Sequence, residues 1–171
     1  LLCLILTLAS ERRRAKVLFF IPLLLAVWAN LHGGFIAGVG ACAVWAIATA
    51  IQTPERRTAC LFAFVSAVVS PLANPYGYGL YEFLFRTLDD HGYISEWAPI
   101  VLFSNQYLSF KLCVGLSIIT FFGLMKFGRD RRRHGQILAW QAPLLLLCLA
   151  LAFRHHRHTI LFLVVAAPML L

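Results

Sequence analysis

The chain has 171 residues, 61% of them hydrophobic and 13% charged, with a mean hydropathy of +0.80 and a net charge of +8. A soluble domain is about 45–50% apolar and about a quarter charged, which excludes an ordinary cytosolic enzyme, a disordered tail and a free-standing nucleic-acid module. The basic residues lie between apolar runs of membrane-spanning length, so topology accounts for the positive charge without a nucleic-acid partner.

A bilayer core of about 30 Å takes about 20 helical residues, and a backbone that crosses it must satisfy its own hydrogen bonds. The apolar runs cover about 1–9, 17–31, 35–51, 59–74, 108–125, 136–153 and 159–171. They predict an all-α, polytopic transmembrane helix bundle of about seven segments in a single transmembrane domain, with one long outer loop over about 75–107. The first and last runs are cut off by the chain ends, so the sequence is expected to be a fragment of a longer protein. Read as one helix, 17–51 would be about 52 Å long, too long for the bilayer. A break at His32-Gly33-Gly34 divides it into a hairpin of two short helices. Pro22, Pro71, Pro143 and Pro168 fall inside apolar runs and mark kinks. Five cysteines (Cys3, Cys42, Cys60, Cys113, Cys148) sit singly in apolar stretches, as buried free thiols do.

Arginine and lysine set the orientation. Arg12, Arg13, Arg14 and Lys16 form one cluster, Arg56 and Arg57 a second, and Lys126, Arg129, Arg131, Arg132 and Arg133 a third. With the hairpin drawn in, all three fall on one side, expected to be the cytoplasm, and hold eleven of the fifteen basic residues. A single helix over 17–51 would place the first two clusters on opposite sides.

Every polar feature between the segments then collects on the outer face. The first is Trp28-Ala29-Asn30-Leu31-His32-Gly33-Gly34-Phe35, where the glycines permit tight helix packing and Asn30 and His32 either cap the hairpin or face a polar cavity. The second is the long loop. Its aromatic part (Tyr76, Tyr78, Leu80, Tyr81, Phe83, Leu84, Phe85) suits a short helix lying in the interface. Its acidic part, Asp89, Asp90 and His91 with Glu96 further on, is either a solvated turn or a site whose carboxylates bind a divalent cation through oxygen or act as a general base on an acceptor. Glu96 beside Trp97 pairs a carboxylate with an aromatic platform, which suggests sugar contact. The third feature is Arg154-His155-His156-Arg157-His158. Arg154 and Arg157, three positions apart, share a helix face and suit one phosphate; the alternatives are interfacial snorkelling and a histidine metal site.

WANLHGGF, ANPYGYGLYEF, ISEWAPI and an Arg-bearing segment before a last apolar run, in that order, resemble bacterial polytopic proteins of the GT-C glycosyltransferase superfamily. These include relatives of the polyprenyl-phosphate-dependent mannosyltransferases and of the lipid A aminoarabinose transferases. The resemblance covers nearly the whole chain. It implies a many-helix fold in the bacterial inner membrane, with a site on the non-cytoplasmic side. There a sugar would pass from a polyprenyl-phosphate carrier to a glycan, lipid or protein acceptor. Arg154 and Arg157 would bind the donor phosphate, and Asn30, His32, Glu96 and Trp97 would line the cavity. The catalytic acidic residue of such enzymes lies in the first outer loop, expected to precede this chain, so the catalytic base is unassigned. No metal ligand set is assigned either.

Three other readings stand beside the transferase. A transporter would place charge at helix midpoints and repeat its halves, and neither is seen. A ligase or polymerase of lipid-linked glycans also uses outer-loop arginines. A non-catalytic membrane scaffold accounts for the hydrophobicity but leaves the outer RHHRH cluster without a purpose.

Overall fold

In the computed structural model, which describes residues 1–89, 107–127, 131–154 and 159–170, the described residues are almost entirely helical. The helices are α1 (Leu2–Ser10), α2 (Phe20–Leu31), α3 (Phe35–Gln52), α4 (Arg57–Val69), α5 (Gly79–Asp89), α6 (Leu108–Phe127), α7 (Arg131–Arg154) and α8 (Thr159–Leu170), joined in part by 3-10 turns at Arg12–Phe19, Pro54–Arg56 and Ser70–Leu72. The chain packs as two compact units, Leu1–His91 and Gly92–Leu171.

In the first unit the hairpin expected at His32-Gly33-Gly34 is present. The chain leaves α2 at His32 with an extended backbone (φ −163°, ψ 135°), and α3 begins three residues later. The His32 ring closes the turn, its Nδ1 accepting the Gly34 N–H at 2.8 Å. That bond satisfies the backbone donor of Gly34, just ahead of α3. Gly38 explains how closely α2 and α3 approach. A Cβ there would lie 2.7 Å from the Trp28 ring and 2.8 Å from Leu25, while Leu2 of α1 approaches to 3.2 Å.

With Leu2 beside Gly38 and Ser10 bonded to Trp45, α1 and α3 run in the same direction. The unit therefore has two ends. The turns after α1 and α3 gather at one; the α2–α3 turn and the end of α4 gather at the other. The core between them is Leu6, Leu18, Ile21, Leu25, Phe35 and Trp45, each almost wholly buried.

In the second unit α6, α7 and α8 pack on one another around Phe110, whose ring meets Phe153 at 5.9 Å and Phe162 at 5.4 Å, both edge-on. Trp140 and Gln141 of α7 are buried too. Pro143 lies inside α7, where it removes one N–H from the helical ladder and leaves the Ala139 carbonyl without its usual donor.

Among the described residues, two stretches are long and apolar enough to cross a membrane: Arg14–Leu31 and Phe35–Gln52, 18 residues each. Only 22% and 33% of their residues are buried, whereas the core helix of a water-soluble fold is mostly buried. Leu23, Leu31, Ile47 and Ile51 all point outward and are more than 60% exposed, an apolar surface far beyond scattered single residues. The apolar parts of α6 and α7, Leu108–Gly123 and Ala139–Phe153, are shorter. The segment expected over 59–74 is divided: α4 stops at Val69, and a 3-10 turn holding Pro71 follows. At thirteen residues, α4 alone is about 20 Å long, short of a bilayer core.

Candidate functional site

The polar end of the first unit is assembled from two stretches about forty residues apart. Asn30, in the last turn of α2, donates from Nδ2 to the Ala26 carbonyl at 2.8 Å and to the Ala73 carbonyl at 2.9 Å, tying α2 to the chain beyond α4. Asn74 shapes that following chain. Its Nδ2 donates to the Pro71 carbonyl, and its Oδ1 accepts the Tyr76 N–H at 2.8 Å. An Asx turn results, and the chain then reverses through Gly77, whose φ of +49° few other residues adopt readily.

The reversal delivers α5 onto the α2–α3 turn. Tyr81 sets its ring edge-on to Phe35 at 5.7 Å and donates its hydroxyl to the Val68 carbonyl at 2.8 Å. Leu84 comes within 3.4 Å of where a Cβ on Gly33 would stand. Burial pushes the Tyr81 phenol above its ordinary value of 10.0, because the phenolate would lose water without gaining a counter-charge.

WANLHGGF and ANPYGYGLYEF are thus brought together, and Asn30 and His32 with them. Both side chains are exposed. The Asn30 Nδ2 and the His32 Nδ1 bond to backbone partners, which ties both residues into the junction. A neutral His32 carries its proton on Nε2, because Nδ1 accepts. Glu82 of α5 is paired with Arg86 at 2.5 Å.

The remaining candidates meet the structure only partly. Asp89 and Arg154 close α5 and α7, their side chains outside the described atoms. Asp90, His91, Glu96, Trp97 and Arg157 lie outside the described residues, so the acidic set and the Arg154/Arg157 pair are not placed as groups. Among the described residues no cluster of three or more His, Cys, Asp or Glu could hold a metal ion.

Three residues to which the sequence reading gives no site role matter at the opposite end. Arg56, 8% exposed, donates to the carbonyls of Ala9 (2.5 Å) and Ser10 (3.2 Å), and its guanidinium lies 5.8 Å from the Trp45 ring centre. Trp45 Nε1 donates to Ser10 Oγ at 3.1 Å, and that hydroxyl donates to the Leu6 carbonyl at 2.9 Å. The carbonyls at a helix C-terminus lack intrahelical donors and carry partial negative charge, which a cation satisfies. Arg56 therefore brings its own cluster to within two residues of Arg12, at the end away from Asn30. Nothing in the sequence separates it from the exposed Arg57.

The second unit holds an apolar cleft of about 240 Å³ between α6 and α7, lined by Val114, Ser117, Phe121, Phe122, Leu145 and Phe162 among others. Its one hydroxyl, Ser117, donates to the Cys113 carbonyl at 2.7 Å, which leaves the lining without a free polar donor. Nearby in sequence, Trp140 Nε1 is fully buried with no hydrogen-bond partner among the described residues.

No family model matches this chain, and neither a curated protein nor a solved structure is significantly similar to it.

Proposed function

We propose that the chain is the membrane-embedded part of a glycosyltransferase of the GT-C kind, moving a sugar from a polyprenyl-phosphate carrier to an acceptor at the non-cytoplasmic face of a bacterial inner membrane. On this reading the seven apolar segments cross the bilayer and the basic clusters lie in the cytoplasm. The observation that carries it is the meeting of WANLHGGF and ANPYGYGLYEF through Asn30–Ala73, Phe35–Tyr81 and Gly33–Leu84. Two of the stretches on which the resemblance rests form one structural junction, at the end opposite Arg56. The apolar cleft between α6 and α7 adds a surface suited to an isoprenoid chain, and Arg154 and Arg157 are the candidates for its phosphate.

A second reading has its own support. The hydrogen bonds at the junction are satisfied within the chain, as a non-catalytic scaffold requires. Transfer of labelled sugar from a polyprenyl-phosphate donor by the full-length protein in proteoliposomes separates the two. The transferase reading expects turnover that Arg154→Ala or Arg157→Ala lowers at least tenfold. Turnover unchanged in both variants removes the phosphate assignment, and no turnover with any donor favours the scaffold.

A further inference from the structure

The helix α5 has three faces of different chemistry. Leu80, Tyr81 and Leu84 are half-buried and turn toward the protein, with Tyr81 on Phe35 and Val68 and Leu84 against Gly33. Glu82 and Arg86, one turn apart, form an exposed ion pair on the other side. Phe83 and Phe85 lie on the two flanks, 64% and 62% exposed. At about 100° per residue their directions differ by about 160°, so one phenylalanine projects from each side of the helix. Tyr76 and Tyr78, in the turn that leads into α5, are 77% and 76% exposed.

The level of α5 along the unit is also fixed. It packs on the turn joining the two stretches of membrane-spanning length, 14–31 and 35–52. The second is about 27 Å long and the first, which begins in a 3-10 helix, about 30 Å, both close to the thickness of a bilayer core. A helix on their shared turn therefore sits where hydrocarbon meets headgroup, the depth at which aromatic rings settle.

We propose that α5 is an interfacial collar. Phe83 and Phe85, with Tyr76 and Tyr78, bind the headgroup–acyl boundary of the lipid bilayer, Glu82 and Arg86 face water, and the third face clamps the α2–α3 turn. A helix facing bulk water has no use for two exposed phenylalanines on opposite flanks. A helix with protein beneath it, water above it and lipid on either side needs them there. The collar rests on the membrane embedding of α2 and α3 and not on transfer chemistry.

The test is a nitroxide scan over positions 82 to 86, one label at a time, in protein whose native cysteines are replaced and which is reconstituted in phosphatidylcholine–phosphatidylglycerol vesicles. Oxygen partitions into hydrocarbon and a nickel chelate stays in water, so the ratio of their collision rates reads depth. Labels at Leu23 of α2 and Ile47 of α3, both outward-facing, serve as lipid references. The collar expects oxygen-to-nickel ratios at 83 and 85 several-fold above those at 82 and 86, with 84 shielded from both probes. Lipid-like values at 23 and 47 with water-like values at 83 and 85 would overturn the collar alone. Water-like values at all four would overturn the membrane embedding as well, and shielding of 83 and 85 from both probes would assign them to a protein contact. F85W, made with the native cysteines intact, gives a second measure. Emission above that of the unsubstituted protein should be quenched more by lipid brominated near the headgroup than near the chain end, and equal quenching or none rejects the collar.

Discussion

The Arg56 Nη2 lies 2.5 Å from the carbonyl oxygen of Ala9, forty-seven residues away in sequence. This bond and its companion to Ser10 seal the C-terminus of α1 with a cation. They also place the Arg56–Arg57 pair beside the cluster that begins at Arg12. The two clusters can share an end only because the chain reverses at His32-Gly33-Gly34.

Removing that cation leaves two carbonyls at a buried helix end without donors. Arg56→Met should lower stability by about 2–3 kcal/mol, the scale of a charged hydrogen bond lost to a buried acceptor. Arg56→Lys should recover only part of this, since an ammonium lacks the fork that spans both oxygens. Arg57→Met, at the exposed neighbour, should change little. Unfolding midpoints in detergent micelles check all three, and equal losses at 56 and 57 would refute the assignment.

Two glycines of α3 should respond in opposite directions. A methyl group at Gly38 would stand 2.7 Å from the rigid Trp28 ring, whereas at Gly40 it would meet nothing within 4 Å. Gly38→Ala should cost about 1–3 kcal/mol by overpacking. Gly40→Ala should be neutral or stabilise by up to about 1 kcal/mol, because glycine is the poorer helix former. The difference between the two variants, read as thermal midpoints, is the measurement.

Much of this architecture is legible in the sequence because each feature has a local cause. The break at His32-Gly33-Gly34 follows from an apolar stretch too long for one span, and the helical aromatic stretch around Tyr81 follows from its residue spacing. The end of α4 is read less well. Apolar composition continues through 70–74, but Pro71 withholds an N–H and Asn74 folds back onto the Pro71 carbonyl, so the helix stops at Val69. Arg56 is invisible for another reason. Its burial depends on where α1 ends in space, and two adjacent arginines look alike until that end is placed. The roles of Asn30 and His32 stay open in the sequence as cap or cavity, because the backbone partners of the Asn30 Nδ2 and the His32 Nδ1 come from the fold.

Tyr81 joins three elements through one ring and one hydroxyl. Tyr81→Phe keeps the edge-on contact with Phe35 and removes the bond to Val68, for a loss of about 0.5–1.5 kcal/mol. The loss should depend on pH in a definite sense. Folding raises the phenol's pKa above its ordinary value of 10.0, so folding favours the protonated form. That contribution is complete below about pH 10 and fades as pH rises through the higher folded value. In an ultraviolet titration a tyrosine that ionises above pH 10.0 should vanish in Tyr81→Phe. Persistence of that component would place the raised phenol elsewhere.

Trp45 and Trp140, the two fully buried tryptophans among the described residues, offer a comparison in which size cancels. Trp45 Nε1 has a partner in Ser10 Oγ at 3.1 Å, whereas Trp140 Nε1 has none among the described residues. Replacing either by Phe removes the same atoms and leaves a similar void. At Trp45 the change also removes the donor to the Ser10 hydroxyl, leaving that buried oxygen without it, and loosens the ring beneath Arg56. At Trp140 it removes an N–H that had been taken from water with nothing in return, relieving a desolvation cost of about 1–3 kcal/mol. Trp45→Phe should therefore be the more damaging by about 1–3 kcal/mol, measured as the difference between unfolding midpoints. If Trp140→Phe proves equally damaging, the Trp140 N–H has a partner in the folded protein.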